Sequence, residues 1–332
     1  MNIKIAQIGV GYWGPNLLRN LVSNQYCTVK NVVELSTKRK EYVKNTYPNI
    51  DTTKSFSDVL LDNELDAVVI ATPVNTHFKL VMEALSAGKH VLVEKPMAST
   101  VAEVEKIEKL ANKMGLVAMV GHTFLYNSAV RYIKNIIDSG EIGKIRYIYT
   151  QRLNLGRIRD DVNALWNLAP HDISILQYWL DGQKPLETKY NGTSYVQKGI
   201  DDVSFLNLVY PNNVLANIHV SWLDPNKVRR INVVGSKKMI VYDDIAKDKV
   251  VIYDKGIDII AKLEDDMDFD NLNGTNYYHR SGDAFVPKIN WIEPLKVEIN
   301  HFVDCITNET PCLTDPEHAR QVISILSVNK FM

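Results

Sequence analysis

The pattern of hydrophobic and polar positions divides the chain into two parts. From residue 1 to about 120, short β-branched runs alternate with stretches of helical periodicity, as in a parallel sheet covered by helices. The predicted strands are Ile3–Ile8, Thr28–Glu34, Ala67–Ala71, His90–Val93 and Leu116–Val120. The predicted helices are Pro15–Ser23, Lys38–Thr46, Ser57–Leu61, Thr76–Ala87 and Thr100–Met114. Residues 1–121 are therefore predicted to form a doubly wound α/β domain.

The pattern changes after residue 121. Helices are predicted over Asn127–Ser139 and from near Pro170, and a long polar loop over residues 262–290 precedes helices at Leu295–Thr307 and Pro316–Asn329. Alternating runs separated by turn residues predict the strands Lys144–Leu153, Val203–Tyr210, Val214–Ser221, Arg229–Val234, Met239–Tyr242 and Lys249–Tyr253. Residues 122–332 are thus predicted to form an α+β domain with an open, largely antiparallel sheet. The last helices either remain with this domain or pack back on the first domain.

Composition agrees with a two-domain globular protein. The 332 residues are 45% hydrophobic and 23% charged, and one core rarely grows past roughly 250–300 residues. The net charge of −1 gives no field that favours nucleic acid or an anionic membrane. The first apolar run reaches Gly9 too soon for a signal peptide, and no run approaches a membrane span. The three cysteines form no Cys-x-x-Cys pair, so we expect a cytoplasmic protein with buried thiols and no metal site.

The first predicted strand runs directly into Gly9-Val10-Gly11-Tyr12-Trp13-Gly14 and then a helix. Glycines in this context allow a tight turn, a close approach to a pyrophosphate and packing on the sheet. N–H groups at the start of the helix would then face the phosphates. The alternative is a plain glycine turn, but the strand–turn–helix context favours a dinucleotide site.

Glu34 supports the same site and indicates which dinucleotide it binds. It follows Gly14 by 20 residues at the end of the second predicted strand, where a carboxylate accepts hydrogen bonds from ribose hydroxyls. A carboxylate there repels a 2′-phosphate, so NAD is favoured over NADP. Ser36, Lys38 and Arg39 follow closely and could bind that phosphate if the loop folded back.

Two further loops follow predicted strands and so lie at the carboxyl edge of the sheet, where open α/β sheets bind ligands. The first is Ala71-Thr72-Pro73-Val74-Asn75-Thr76-His77, in which Asn75 or Thr76 is also a candidate helix cap. The second is Glu94-Lys95-Pro96. A fixed Lys95 ammonium would stabilise alkoxide character as a hydride leaves an alcohol; the alternative is a solvated lysine in a turn.

The second domain supplies a candidate base and candidate anion ligands. If a helix begins at Pro170, its positive end keeps the His171 ring neutral and suited to general-base catalysis; a cap or core histidine is the alternative. The other histidines show no metal-ligand spacing. Arg152, Arg157 and Arg159 are predicted in a loop, where they would either bind a phosphate or carboxylate or be solvated.

Taken together, the glycine loop, the Thr72-Pro73 loop, Glu94-Lys95-Pro96 and Pro170-His171-Asp172 resemble the glucose-fructose oxidoreductase/inositol dehydrogenase (Gfo/Idh/MocA) family over nearly the whole chain. The resemblance implies a Rossmann domain, a second domain that often forms an oligomer interface, and Lys95 and His171 as catalytic residues. It implies cofactor binding by Gly9, Gly11, Tyr12, Trp13, Gly14, Thr72, Pro73, Asn75, His77, Glu94, Lys95 and Pro96, beside Glu34. It implies substrate binding by Lys95, Tyr126, Arg152, Arg157, Asn167 and His171. The family often has an aspartate four residues before the histidine, where this chain has Asn167.

The segment from Arg152 to Asp172 is most similar to family branches that act on nucleotide-linked sugars, including UDP-N-acetylglucosamine 3-dehydrogenases. The resemblance therefore implies an NAD-dependent homo-oligomeric dehydrogenase that oxidises C3 of a UDP-linked N-acetylhexosamine or its uronate to a 3-keto sugar. Inositol or free-sugar oxidation and NADPH-dependent reduction of a 3-keto deoxysugar are alternatives within the enzyme class. A non-catalytic dinucleotide-sensing regulator is the alternative from another class.

Overall fold

The structure is a computed structural model that describes residues 2–261 and 275–329. Within those ranges the chain divides into two compact units. The first contains residues 2–128, 173–182 and 291–329, and the second contains residues 129–172, 183–261 and 275–290. The last two helices thus belong to the first unit, together with part of a helix from the middle of the chain.

The first unit is built on a six-stranded parallel sheet. Its strands are β1 (Ile3–Ile8), β2 (Cys27–Val33), β3 (Asp51–Thr53), β4 (Ala67–Ile70), β5 (His90–Glu94) and β6 (Ala118–Gly121). The order β3-β2-β1-β4-β5-β6 reverses direction between β1 and β4, which creates the crevice where such sheets bind ligands. The central strand β4 is buried along its whole length, because helices cover both faces of a doubly wound sheet.

Helices of the first unit connect these strands and close the chain. They are α1 (Gly14–Val22), α2 (Thr37–Thr46), α3 (Phe56–Leu60), α4 (Val74–Ser86), α5 (Val101–Met114), α8 (Pro294–Thr307) and α9 (Pro316–Leu326). Local sequence explains several boundaries; for example, Thr100 and Glu103 form a capping box at the start of α5, and Gly115 ends that helix with φ +64°. In the described ranges, no helix combines the length and the apolar character needed to cross a bilayer.

The second unit is built on an eight-stranded sheet. Its elements are α6 (Ser128–Asp138), β7 (Ile145–Leu153), β8 (Glu187–Thr193), β9 (Val203–Tyr210), β10 (Val214–Ser221), β11 (Val228–Gly235), β12 (Met239–Asp243), β13 (Val250–Ala261) and β14 (Thr275–Phe285). Helix α7 (Ala164–Trp179) contributes its first nine residues to this unit. The sheet order is β14-β13-β12-β11-β7-β10-β9-β8. Within the described part of this second sheet, only the β7–β10 pair is parallel. The predicted fold class, a doubly wound sheet followed by an α+β domain, is confirmed.

The predicted polar loop over residues 262–290 is wrong for residues 275–285, whereas residues 286–290 form no helix or strand, as predicted. Residues 262–274 lie outside the described ranges, but Thr275–Phe285 forms the edge strand β14, paired antiparallel with β13. An edge strand exposed on both faces needs no hydrophobic alternation, so polarity concealed it. Arg280 secures the pairing through ion pairs with Asp254 (3.0 Å) and Asp258 (2.7 Å) across the two strands.

The start of α7 also differs from the prediction, with a consequence for chemistry. The helix begins at Ala164, and the Asn163 side chain accepts a hydrogen bond from the backbone N–H of Trp166 at 2.9 Å, as an N-cap does. Pro170 therefore lies inside the helix rather than at its first position. His171 is two turns into α7, so the expected influence of a helix N-terminus on its ring is wrong.

Candidate active site

The glycine loop follows β1 and excludes side chains at two positions. Gly9 has φ +90°, and a Cβ atom placed there would lie 2.6 Å from the carbonyl oxygen of Ala71; a Cβ atom on Gly14 would lie 2.8 Å from the Gly9 oxygen. Gln7 was not predicted to take part, yet its buried amide nitrogen donates to the carbonyls of both Gly9 (2.9 Å) and Gly14 (2.8 Å). The loop is therefore held by its own backbone and by a side chain of β1.

Helix α1 begins at the end of this loop, and its N-terminus is a candidate anion site. Trp13 occupies the N-cap position, and no side-chain cap is formed there among the described residues. The first-turn N–H groups of an uncapped helix are open to a phosphate. Tyr12 is 94% exposed, so the loop leaves its outer face accessible. This cradle and the excluded side chains fit a dinucleotide pyrophosphate.

Glu34 follows β2 and is fixed beside the loop. One carboxylate oxygen accepts from the Val10 N–H at 2.8 Å, and the other accepts from the Ser36 N–H at 2.8 Å. The Arg39 guanidinium lies near Gly11, 3.5 Å from the position a Cβ atom would occupy. The structure thus brings both candidate determinants of cofactor choice, an acid and a cation, to the glycine loop.

His77 joins the loops after β4 and β5. Helix α4 begins at Val74 with Pro73 at its N-cap, so the predicted cap by Asn75 or Thr76 is wrong. The buried His77 ring on this helix places Nδ1 2.8 Å from the Pro96 carbonyl oxygen and Nε2 2.9 Å from the Thr72 carbonyl oxygen. Burial, the largest influence, lowers the pKa of His77. A neutral ring has one N–H group, so it donates to one of these carbonyls while its other nitrogen lies beside the second. The ring thus contacts both loops.

Lys95 follows β5 at the carboxyl edge, beside several buried titratable groups. The indole N–H of Trp13 donates to the Glu94 carboxylate, and the loss of hydration raises the pKa of Glu94 to about 7 despite the nearby Lys95 charge. Glu298 of α8 is buried and accepts from the Thr123 hydroxyl at 2.8 Å. Burial first, and the Glu94 charge second, hold the pKa of Glu298 well above its ordinary value.

His122 and His318 complete these surroundings and are held neutral. Their rings meet edge-on, with centroids 5.2 Å apart. Burial lowers the pKa of His318 to about 4, and burial, His318 and Lys95 together hold the pKa of His122 well below its ordinary value. Neither ring therefore adds a positive charge near Lys95 at neutral pH.

In the second unit, α7 presents Asn167 and His171 on one face. They are four residues apart in the helix, and side chains with that spacing are neighbours. The Asn167 side-chain oxygen accepts from the Trp222 indole N–H at 3.3 Å, which fixes the orientation of the amide. Its NH₂ group is a hydrogen-bond donor on the same helix face as the candidate base.

The three arginines do not form one cluster of available cations. Arg152 lies within β7, not in a loop, and binds Asp172 through Nε (2.9 Å) and Nη2 (3.1 Å), with both residues buried. Arg159 pairs with Asp161 through Nε at 2.8 Å, and Arg157 is exposed. The expectation of three loop arginines is therefore wrong for Arg152, because its charge neutralises a buried carboxylate.

Tyr126 is also placed differently from the expectation that it binds substrate. Its side chain is 1% exposed, and its hydroxyl lies 3.1 Å from that of Thr314. Burial raises the pKa of this phenol well above its ordinary value. The structure makes Tyr126 a residue of the first unit's core.

Two of the residues that shape the site were missed by sequence reasoning. Gln7 was hidden inside a largely apolar strand, and a polar residue at a core position next to a glycine loop is the signal that marks it. Glu298 lies about 200 residues after Glu94 in sequence. Only the packing of α8 in the first unit brings the two acids together, so no local pattern could indicate the pair.

Comparison with known proteins identifies the family. The profile of an oxidoreductase family with an NAD-binding Rossmann fold, Gfo/Idh/MocA, matches residues 3–122, and the profile of the C-terminal domain of that family matches residues 130–241. The chain belongs to the Gfo/Idh/MocA family. The dinucleotide cradle described above is the part that corresponds to the NAD-binding fold of this family.

Individual relatives act on different molecules. UDP-N-acetylglucosamine 3-dehydrogenase of Acidithiobacillus ferrooxidans is 24% identical over 272 residues, 79% of this chain and 76% of the relative. The 4-carboxy-2-hydroxymuconate-6-semialdehyde dehydrogenase of Sphingobium sp. is 29% identical over 184 residues, 53% of this chain and 58% of the relative. The scyllo-inositol 2-dehydrogenase (NADP(+)) IolW of Bacillus subtilis is 28% identical over 166 residues, 49% of this chain and 46% of the relative. This chain thus spans only about half the length of several curated relatives that it matches.

Solved structures show the same fold. UDP-N-acetylglucosamine 3-dehydrogenase GnnA from Acidithiobacillus ferrooxidans superposes with a TM-score of 0.80 at 22% identity, covering 99% of this chain and 96% of that chain. GenD2 from gentamicin A biosynthesis, in complex with NAD, gives a TM-score of 0.80 at 18% identity, covering 98% and 92%. At these identities the likeness concerns the fold alone.

Gly9→Ala tests the cradle. Because the added methyl group would meet the Ala71 carbonyl, we expect dinucleotide binding to weaken by at least about tenfold, or ~1.4 kcal/mol. Gly88→Ala is the matched control, since Gly88 also has a positive φ (+74°) but no heavy atom lies within 4 Å of its Cβ position. NADH fluorescence titration of both variants, with thermal unfolding in parallel, separates the contact from the backbone strain. Equal affinity in the two variants would contradict the assignment.

Glu94→Gln tests the half-buried acid beside Lys95. Its folded-state pKa of about 7 exceeds the ordinary value of 4.5, so the acid favours folding below about pH 4.5 and loses that contribution as pH rises through about 7. We expect wild type to lose up to about 2–3 kcal/mol of stability over this interval through Glu94, and Glu94→Gln to lose less. Urea unfolding at pH 5 and pH 8 measures the difference. Glu105→Gln, at an exposed site on α5, should keep the wild-type pH dependence.

Proposed function

We propose that the protein is an NAD-dependent dehydrogenase that oxidises a secondary alcohol of a sugar to a ketone. The favoured substrate is a UDP-linked N-acetylhexosamine or its uronate, oxidised at C3. The observation that carries the proposal is the position of Lys95 at the carboxyl edge of β5, in a turn that His77 joins to the Thr72 loop. A lysine fixed beside a dinucleotide cradle suits stabilisation of a developing alkoxide.

In this proposal Lys95 and His171 divide the work on the substrate hydroxyl. Nε2 or Nδ1 of His171 takes the hydroxyl proton, and the Lys95 ammonium stabilises the negative charge that develops on the oxygen. Asn167, held by Trp222, orients a neighbouring sugar hydroxyl. When bound between the glycine loop and Glu34, the nicotinamide dinucleotide supplies the hydride acceptor.

The fixed carboxylate of Glu34 supports NAD as the cofactor. Two backbone N–H groups hold it in place, so it can accept from ribose hydroxyls and would repel a 2′-phosphate. Arg39 beside Gly11 is the feature that would instead favour NADP. Because Glu34 is held by two hydrogen bonds and is opposed by the single guanidinium of Arg39, we favour NAD.

The relatives and the arginines bear differently on the substrate. The UDP-N-acetylglucosamine 3-dehydrogenase match, which covers 79% of this chain, supports a nucleotide sugar. In contrast, Arg152 and Arg159 are already paired with Asp172 and Asp161, which reduces the cationic charge offered to a diphosphate. That observation favours a second candidate, the oxidation of a free sugar or inositol.

Initial rates with both cofactors over a panel of UDP-sugars, free hexoses and inositols decide among these functions. We expect NAD reduction to exceed NADP reduction by about tenfold or more, because Glu34 repels the 2′-phosphate, with UDP-N-acetylhexosamines the best substrates. Turnover of inositols alone would support the second candidate. Tight NAD binding without turnover of any polyol would contradict catalysis and favour a dinucleotide sensor.

Lys95→Met and His171→Ala test the assigned roles. Each should reduce kcat by roughly 10²–10⁴, the usual contribution of a positioned acid–base group. Lys95→Met removes the charge that stabilises the alkoxide, and His171→Ala removes the group that accepts the proton. Dissociation constants for NADH should change little in His171→Ala. Lys79→Met on α4 and His279→Ala on β14 are matched controls at exposed sites. A wild-type kcat in either active-site variant would exclude a catalytic role for the substituted residue.

A further inference from the structure

The end of α8 brings together three side chains that bind soft metals. His301 and Cys305 are four residues apart on this helix, so they lie on one face. Cys312 follows in the segment that leads to α9. The Nε2 atom of His301 and the two sulfur atoms all lie within 4.8 Å of one another. We propose that His301, Cys305 and Cys312 form a site for a thiophilic divalent metal ion, with Zn²⁺ as the best fit.

The distances agree with tetrahedral coordination. The Cys305 sulfur lies 3.5 Å from the His301 Nε2 atom. With zinc–sulfur bonds of about 2.3 Å and zinc–nitrogen bonds of about 2.0–2.1 Å, the sulfur–nitrogen edge of a tetrahedron is about 3.6 Å. The limit of 4.8 Å that holds for all three ligand atoms exceeds the sulfur–sulfur edge of about 3.8 Å by about 1 Å, so small side-chain movements complete the geometry. Water supplies the fourth ligand, as it does in other three-ligand zinc sites.

The backbone prepares the histidine for this role. The Leu313 N–H donates to His301 Nε2 at 3.0 Å, so Nε2 is the unprotonated nitrogen and the proton is on Nδ1. An unprotonated ring nitrogen is the form that binds metals. A metal ion would take the place of the Leu313 N–H on this lone pair. One neutral hydrogen bond is a small loss compared with the affinity of thiolate sites for zinc.

Charge and access also suit a divalent ion. Two thiolates and a neutral imidazole would balance a charge of +2, and thiolate ligands select soft metals such as zinc over magnesium or calcium. Cys305 is buried, whereas His301 and Cys312 are partly exposed, which leaves a path for the ion. This site is separate from the dinucleotide cradle and does not depend on the proposed dehydrogenase activity.

Metal binding to the full-length protein tests the site directly. The protein is stripped with EDTA under a reducing phosphine and then titrated with Zn²⁺ against a chromogenic chelator. We expect one ion per chain, with Cys305→Ser and Cys312→Ser each losing more than the 10–100-fold that outer-shell changes cost in affinity. His301→Gln should also weaken binding, while its side-chain oxygen still accepts from Leu313. Cys27→Ser is the matched control, because Cys27 is a buried thiol on β2, and it should bind as wild type does.

Co²⁺ substitution gives a second readout that is independent of activity. In wild type, sulfur-to-cobalt charge-transfer absorption should appear, and it should fall by about half in each cysteine variant, since one of two thiolates is removed. Circular dichroism confirms that each variant is folded. A wild-type protein that binds no zinc, or cysteine variants with unchanged affinity or cobalt spectra, would overturn the proposal. So would equal loss in Cys27→Ser.

Discussion

The backbone of the glycine loop packs directly against the loop that follows β4, and this contact fixes the rest of the first unit's site. No side chain fits at Gly9, since its Cβ position lies 2.6 Å from the Ala71 oxygen. From that contact, His77 continues the connection to the turn at Pro96. On the other side, the Val10 N–H holds Glu34. The acid that would face a ribose and the turn that carries Lys95 are therefore positioned by one continuous series of contacts to backbone groups.

The parts of the site that could be predicted from the sequence are those that directly follow a predicted strand. The glycine loop, Glu34 and Glu94-Lys95-Pro96 directly follow strands with clear apolar patterns, and local pattern determines where the carboxyl edge of a strand falls. Gln7 and Glu298 act through contacts made only after folding. A buried polar residue in a strand, or an acid on a helix about 200 positions away, leaves no periodic signal.

Two of the errors in the second part of the chain, those for α7 and β14, have different physical origins. For α7, the prediction gave Pro170 more weight than Asn163. The helix in fact begins at the Asn163 cap, and this well-buried helix accommodates Pro170 in its interior. For β14, polarity concealed an edge strand that is stabilised by the ion pairs of Arg280 rather than by burial. The ion pairs of β14 join residues 22 and 26 positions apart, so a short window of sequence does not show them, whereas the Asn163 cap is a local signal.

The buried pair Arg152–Asp172 changes the expectation for substrate recognition. A bidentate pair removed from water is retained only when each charge satisfies the other, so Arg152 has little capacity left to bind a ligand. Asp172 directly follows His171 in α7, and the pair therefore anchors to β7 the helical turn that carries the candidate base. The arginine thus helps to position the candidate base and has little charge left for the binding of an anion.

The surroundings of Lys95 follow a related electrostatic logic. An ammonium is most useful to a developing oxyanion when its neighbours do not neutralise it permanently. Burial raises the pKa of Glu94 to about 7, so at neutral pH this acid is only partly ionised and is a weak counter-charge. Burial likewise raises the pKa of Glu298 well above its ordinary value and lowers the pKa of His122 well below its ordinary value. The first unit thus places Lys95 near groups whose burial disfavours their own charged forms.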